Sequence, residues 1–137
     1  MSAQANRLSL MALFLALCSL VLGIAATVEA FAHHPGSHAT RKGVGTVWLE
    51  AVVTVSDGCT TIGSVALGAP AGVSVPPSAE PVTVRLARPQ GAMCTQALGS
   101  ARSEAALTVP AARGSLHLFV LGLDGRVVSS ERVPIRP

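Results

Sequence analysis

The sequence predicts an all-β protein, a small antiparallel sandwich of about seven short strands that follows an N-terminal signal peptide. Three observations support this class. Segments in which apolar and polar residues alternate recur at intervals of roughly a dozen residues, and turn signals rich in Gly, Pro, Asp and Ser separate them. The chain of 137 residues has room for one such domain. We assign residues 1–32 to the signal peptide, 33–43 to a flexible arm and 44–137 to the sandwich.

The predicted signal peptide has the usual three parts. Arg7 and the amino terminus carry positive charge, an uncharged apolar run begins at Leu8, and small residues precede two cleavage sites, one before Phe31 and a preferred one before His33. An uncleaved anchor is the alternative, because a run of about 20 apolar residues is also long enough to cross a bilayer as a helix. We expect a periplasmic or secreted protein, in contact with a membrane only if the segment stays uncleaved.

Strands are expected from residue 44 onward. The first covers GTVWLEAVVTV, in which every second residue from Val47 to Val55 is apolar. A second candidate is CTTIGSVAL, and the clearest one is VTVRLA, in which Val82, Val84 and Leu86 point inward. Between these two, GAPAGVSVPPSAEP contains four prolines, which favour a long loop or an edge segment over a central strand.

The C-terminal part adds the remaining candidates. MCTQAL returns Cys94 towards the sheet, and ARSEAALTV fits either a helical turn or a strand; we assign a strand because sequential elements tend to pair. SLHLFVLGL and RVVSSERVPI flank Asp124 and Gly125, a pair preferred in two-residue type I′ hairpins. The number and spacing of the strands favour an immunoglobulin-like sandwich, with a small barrel as the alternative. After the predicted cleavage site Trp48 precedes Cys59 and Cys94, so the Cys-Trp-Cys order of immunoglobulin domains is not present there.

The cysteines predict one disulfide bond. Once the signal peptide is removed, Cys59 and Cys94 are the only cysteines left, an even number in a chain expected in an oxidising compartment. They form no CxxC motif, and no nearby histidine completes a metal-binding set. Closing a loop of this length stabilises a domain by up to about 4 kcal/mol in the chain-entropy model.

Composition and motifs argue against nucleic-acid binding and against catalysis. The basic residues are scattered, and after the predicted cleavage site only Trp48 and Phe119 are aromatic. The carboxylates are isolated, and both aspartates lie in Asp-Gly turns. His117 has no accompanying G-x-S-x-G motif, and we expect it on the surface of a strand.

The sequence therefore favours a non-enzymatic binding module that requires no cofactor. We expect this module to present an edge strand or the proline-rich 69–81 loop to another exported or cell-envelope protein.

Two other functions remain open at this stage. Three histidines of the arm, His33, His34 and His38, form a short tract of the kind that binds copper or nickel through imidazole nitrogen. The plan of a small exported sandwich with histidine near its terminus is similar to that of periplasmic copper-binding proteins of the CopC type, although no downstream His and Asp motif accompanies it. The other function is protease inhibition, in which the loop RPQGAMCTQ would offer Met93 to a specificity pocket.

The arm yields a prediction about Cu(II) binding. A chain that begins at His33 can chelate the metal through its α-amine and imidazole, and a chain that begins at Phe31 offers an amine, two amides and the His33 imidazole in a square plane. We expect the processed protein to bind Cu(II) more tightly than His33→Ala or an amine-blocked form in a competition titration. Equal affinity in all three proteins would exclude the terminal site.

Overall fold

The computed structural model describes residues 36–137. The predicted signal peptide, both cleavage sites, His33 and His34 lie outside the described residues. Within the described part there are seven strands and no helix, and hence no helix that could cross a membrane. The strands are β1 (His38–Arg41), β2 (Thr46–Val55), β3 (Thr61–Leu67), β4 (Ala79–Ala87), β5 (Gly99–Thr108), β6 (Ser115–Leu121) and β7 (Val127–Arg136).

The seven strands form one mixed sheet in the order β3-β4-β6-β7-β1-β2-β5. The first and last strands of this order, β3 and β5, approach each other, so the sheet is nearly closed. An all-β fold is therefore confirmed. The prediction of a purely antiparallel sheet is wrong, because β4 runs parallel to β6 and β1 runs parallel to β7. The immunoglobulin-like arrangement stays a prediction.

Alternating apolar residues build the core. In β2 every second residue from Val47 to Val55 is apolar and buried, as predicted. Trp48 and Thr54, which alternate with them, are exposed. Val82 and Val84 of β4 and Leu116 and Leu118 of β6 pack against them. The two-residue period of an extended strand places these side chains on one face, which explains why strands β2 and β4 were predictable.

The first strand, β1, begins before residue 44, where the sequence predicted the start of the fold. It lies inside the segment for which a flexible arm was expected, and the sheet therefore begins at His38 and not after residue 43. Its apolar signal is a single buried side chain, Ala39, which is too little to produce a pattern. Pairing with two neighbouring strands stabilises it. Conversely, MCTQAL is not a strand: residues 88–98 form a loop.

The proline-rich segment is a loop at residues 68–78, as predicted, but its last proline lies within a strand. Pro81 belongs to β4, which has β6 on one side and β3 on the other. It is tolerated because β3 ends at Leu67, opposite Val82, so no strand faces Pro81 on that side. The Pro81 carbonyl accepts a hydrogen bond from the Gly68 amide at 2.9 Å.

The closing hairpin is confirmed, but its turn type is not. A type I′ turn needs positive φ at both central residues, and only Gly125 has it, with φ of 78°. The Gly125 amide donates to the Gly122 carbonyl at 3.0 Å, and the Gly122 amide donates to the Arg126 carbonyl at 2.8 Å. The connection is therefore a three-residue loop that ends on a left-handed glycine, the other common way to close a β-hairpin.

The core assignment predicts the effect of two leucine truncations. Leu116 is 0% exposed and Leu123, in the hairpin loop, is 55% exposed. We expect Leu116→Ala to lower the free energy of unfolding by about 3 kcal/mol, because it leaves a cavity among packed side chains. The matched control Leu123→Ala is expected to change it by less than about 0.5 kcal/mol. Urea unfolding followed by circular dichroism measures both, and equal losses would contradict the assigned core.

Candidate functional site

The short strand β1 leaves two longer strands partly without a neighbour. It pairs with β2 only at Val47–Glu50 and with β7 only at Ile135 and Arg136. On the side that faces β1, residues 51–55 of β2 and 127–134 of β7 therefore pair with no strand within the described part of the chain. Such unpaired strand edges carry backbone donors and acceptors that another extended segment can use.

A groove of about 430 Å³ lies between these two edges. Its floor is made of core side chains, since Leu118 and Val120 of β6 and Val53 of β2 are 1%, 4% and 8% exposed. Its walls are the neighbouring residues of β2 and the first half of β7. The lining residues are Ser37, Val52, Val53, Thr54, Leu118, Val120, Val128, Ser129, Ser130 and Glu131. We call this feature the β2–β7 groove.

Polar side chains face the groove from β7. Glu131 pairs with Leu118 and Ser129 pairs with Val120, so both lie on the same face as the core side chains of β6. Both are nevertheless exposed, whereas Val133 further along the same face is buried. The inward face of β7 thus changes from apolar to polar where its edge becomes free.

Ser37 closes one end of the groove. Its Oγ accepts a hydrogen bond from the Val52 amide at 3.1 Å and lies 3.4 Å from the Val52 carbonyl oxygen, to which it donates. The Ser37 side chain thereby occupies the amide and carbonyl of Val52, which a strand extended before His38 would use for pairing. As a result β1 begins at His38, and Ser37 itself is not part of the strand.

The disulfide bond links the segments that precede β3 and β5, the first and last strands in the order of the sheet. Cys59 precedes β3 and Cys94 precedes β5, and the two residues are bonded with a Cα–Cα distance of 5.5 Å. This confirms the predicted pairing. The Gly58 amide also donates to the Thr95 carbonyl at 2.9 Å, so that the 88–98 loop is attached to the start of β3 by a covalent bond and a hydrogen bond. Met93, next to the bond, is fully exposed.

Asp57 organises the backbone before the disulfide. Its Oδ1 accepts hydrogen bonds from the amides of Cys59 and Thr60 at 2.9 and 2.7 Å, and its Oδ2 accepts one from the Thr60 hydroxyl at 2.8 Å. The Thr60 hydroxyl and the Cys59 amide hold the pKa of Asp57 below its ordinary value, and the positive charge of Arg88 acts in the same direction.

Of the three histidines of the predicted copper or nickel site, only His38 lies among residues 36–137, so that site stays a prediction. His38 is exposed at the start of β1 and pairs with Glu50. A carboxylate oxygen of Asp57 and the sulfurs of Cys59 and Cys94 lie within 4.8 Å of one another, but both sulfurs belong to the disulfide, so no thiolate is available to a metal.

The prediction that His117 lies on the surface of a strand is wrong. It is half-buried, its ring centroid lies 4.7 Å from that of Phe119, and its Nδ1 is buried without a hydrogen-bond partner in the described part of the chain. The reason is that β6 lies inside the sheet, where Phe119 and Leu121 on its second face are buried as well.

The fold and the groove define the chain as a disulfide-bonded all-β domain with a gap in its sheet. Comparison with known proteins adds no relative to this description: no family model, curated protein or solved structure matches the chain. The sequence did contain one signal for the groove, namely Ser129 and Glu131 at positions of β7 where the alternating pattern calls for apolar residues.

The hydrogen bonds of Asp57 predict how stability depends on pH. Because its pKa is lower in the folded state than the ordinary 3.8, its contribution to stability is present above pH 3.8 and is lost as the pH falls through the folded value. We expect Asp57→Asn to be less stable than the parent protein at pH 7, by a difference that shrinks in the acid range. Denaturant unfolding at several pH values measures this. Asp124→Asn, at an exposed turn, is the control, and a constant difference across the range would contradict the assignment.

Proposed function

We propose that this protein is a non-enzymatic binding module of the periplasm or the cell exterior, and that it binds an extended segment of another exported protein in the β2–β7 groove. The observation that carries the proposal is the groove itself, a cleft with a floor of core side chains between two strand edges. The disulfide is compatible with an oxidising compartment and so supports an exported location.

The groove has the two features that strand addition requires. The free edges of β2 and β7 offer backbone donors and acceptors for main-chain pairing, and the apolar floor offers contact surface to every second side chain of an added strand. Because Val52 already bonds to the Ser37 hydroxyl, an added strand would pair with the β2 edge beyond Val52 and with the free β7 edge at residues 127–134. Main-chain bonds provide affinity in such complexes, and the pockets for side chains provide selectivity.

Two exposed serines on different strands allow a sharp test of the groove. Ser129 pairs with the core residue Val120 and faces the groove, while Ser64 lies on β3, at the end of the strand order, and does not line the groove. Both are exposed, so neither substitution removes core packing. We expect Ser129→Arg to weaken binding of a captured partner at least about tenfold, equivalent to about 1.4 kcal/mol, because the long side chain lies across the floor. Ser64→Arg is expected to bind as the parent protein does.

The measurement begins with capture from the exported fraction on the parent protein and on both variants, followed by titration of the captured polypeptide. Hydrogen exchange on the complex then locates the contact. We expect added protection at residues 53–55 and 127–131. Equal binding by the two serine variants, or protection confined to other strands, would contradict the groove as the binding site.

Protease inhibition is the second candidate function, and one observation favours it. Met93 is fully exposed on a loop that the disulfide and the Gly58–Thr95 hydrogen bond attach to the sheet. A fixed loop that projects an apolar side chain suits a protease specificity pocket. Binding of a secreted protease that is lost in Met93→Asp but kept in Ser129→Arg would assign function to this loop and not to the groove.

A further inference from the structure

A second cavity lies at the opposite side of β7 from the β2–β7 groove. It has a volume of about 460 Å³ and is lined by Ser78, Ala112, Gly114, Ser115, Arg132 and Pro134. Ser115 and Pro134 pair across β6 and β7, and Ser78 comes from the end of the proline-rich loop. Three separate parts of the chain therefore meet around Arg132.

Two serine hydroxyls hold the Arg132 guanidinium in place. Its Nε donates to Ser115 Oγ at 3.1 Å, and its Nη2 donates to Ser78 Oγ at 3.0 Å. Ser115 is buried, so one of these anchors is fixed in the protein interior. The serines occupy the Nε side of the guanidinium, which leaves the Nη1 protons and the second Nη2 proton for another acceptor.

The charge of Arg132 is not compensated within the described part of the chain. Its neighbour Arg113 has Nε 3.1 Å from Glu80 Oε2, but no carboxylate lies within 4.0 Å of Arg132 among residues 36–137. Each serine hydroxyl accepts a hydrogen bond from the guanidinium and can still donate its own proton. The cavity thus presents a fork of N–H donors beside two O–H donors, an arrangement suited to an anion with two oxygen atoms.

We propose that this cavity binds the carboxylate group of a small organic acid. The carboxylate would lie against the Nη1 and Nη2 end of Arg132 with two parallel hydrogen bonds, the usual arrangement of guanidinium and carboxylate. Ala112 and Pro134 provide apolar walls for a short hydrocarbon group. A single uncompensated guanidinium matches a monovalent carboxylate better than a doubly charged phosphate.

The test is a titration of the disulfide-bonded protein with sodium propionate, in which NMR records the amide chemical shifts at each addition. We expect saturable shifts at Ser78, Gly114 and Ser115, with a dissociation constant in the millimolar range because the cavity is open to solvent. Propionamide has the same shape without the charge, and sodium chloride has the same ionic strength, so neither is expected to give saturable shifts at these residues. Linear shifts with propionate would overturn the proposal.

Three variants separate the site from general charge effects. Arg132→Gln is expected to weaken propionate binding at least tenfold, and Arg132→Lys several-fold, because lysine keeps the charge but loses the fork. Arg126→Gln is the matched control, since Arg126 lies in the hairpin loop before β7, outside the cavity, and its Nε is 3.8 Å from Asp124 Oδ2. If Arg132→Gln loses the dispersed spectrum of the folded protein, Ser78→Ala serves instead and is expected to weaken binding several-fold.

Two further outcomes would overturn the proposal. One is unchanged propionate affinity in Arg132→Gln or Ser78→Ala. The other is tighter binding of inorganic phosphate than of propionate, which would make the cavity a site for polyvalent oxyanions. Because no residue of this cavity lines the β2–β7 groove, the result is independent of the binding function proposed above.

Discussion

The structure depends on a four-residue strand that joins two strands of ten residues. β1 lies between β2 and β7 and holds them in one sheet, yet it pairs with only part of each. Its length is limited at both ends: the Ser37 hydroxyl occupies the Val52 backbone groups at one end, and the turn through Gly43 and Gly45, both with φ of 80°, lies at the other. Buried backbone groups need partners, so the gap beyond β1 must stay open to water or accept another segment.

The opposite side of the sheet is held by a different interaction. β3 and β5, the two ends of the strand order, approach each other without forming a ladder of hydrogen bonds. The Cys59–Cys94 bond links the segments that lead into them, across 35 residues of sequence. In the chain-entropy model a loop of this length stabilises the fold by about 4 kcal/mol. The domain is thus closed on one side by a covalent bond and on the other by a short strand, and the side without the covalent bond carries the groove.

The sequence was most informative where local pattern and tertiary environment agree. Alternation in β2 and β4 and the pairing of Cys59 with Cys94 were predictable, because period and cysteine count follow from residue identity alone. Strand direction was not, since the parallel contacts β4–β6 and β1–β7 depend on how distant segments pack. The strand β1 was missed because Ala39 is its only buried apolar residue. The groove was missed for a related reason: it results from the difference in length between β1 and its neighbours, which no single segment encodes.

The β2–β7 groove combines an open strand edge with polar side chains that face it. Unpaired edges invite pairing with any extended chain, and inward-facing charges are a common way to prevent it. Glu131 is such a charge, because it faces the groove beside the core residue Leu118. An apolar strand that entered the groove would remove water from this carboxylate without replacing its hydrogen bonds, which is costly. A strand with a basic side chain at that position would pair with it instead, so under the proposed function Glu131 would both restrict non-specific association and select the partner.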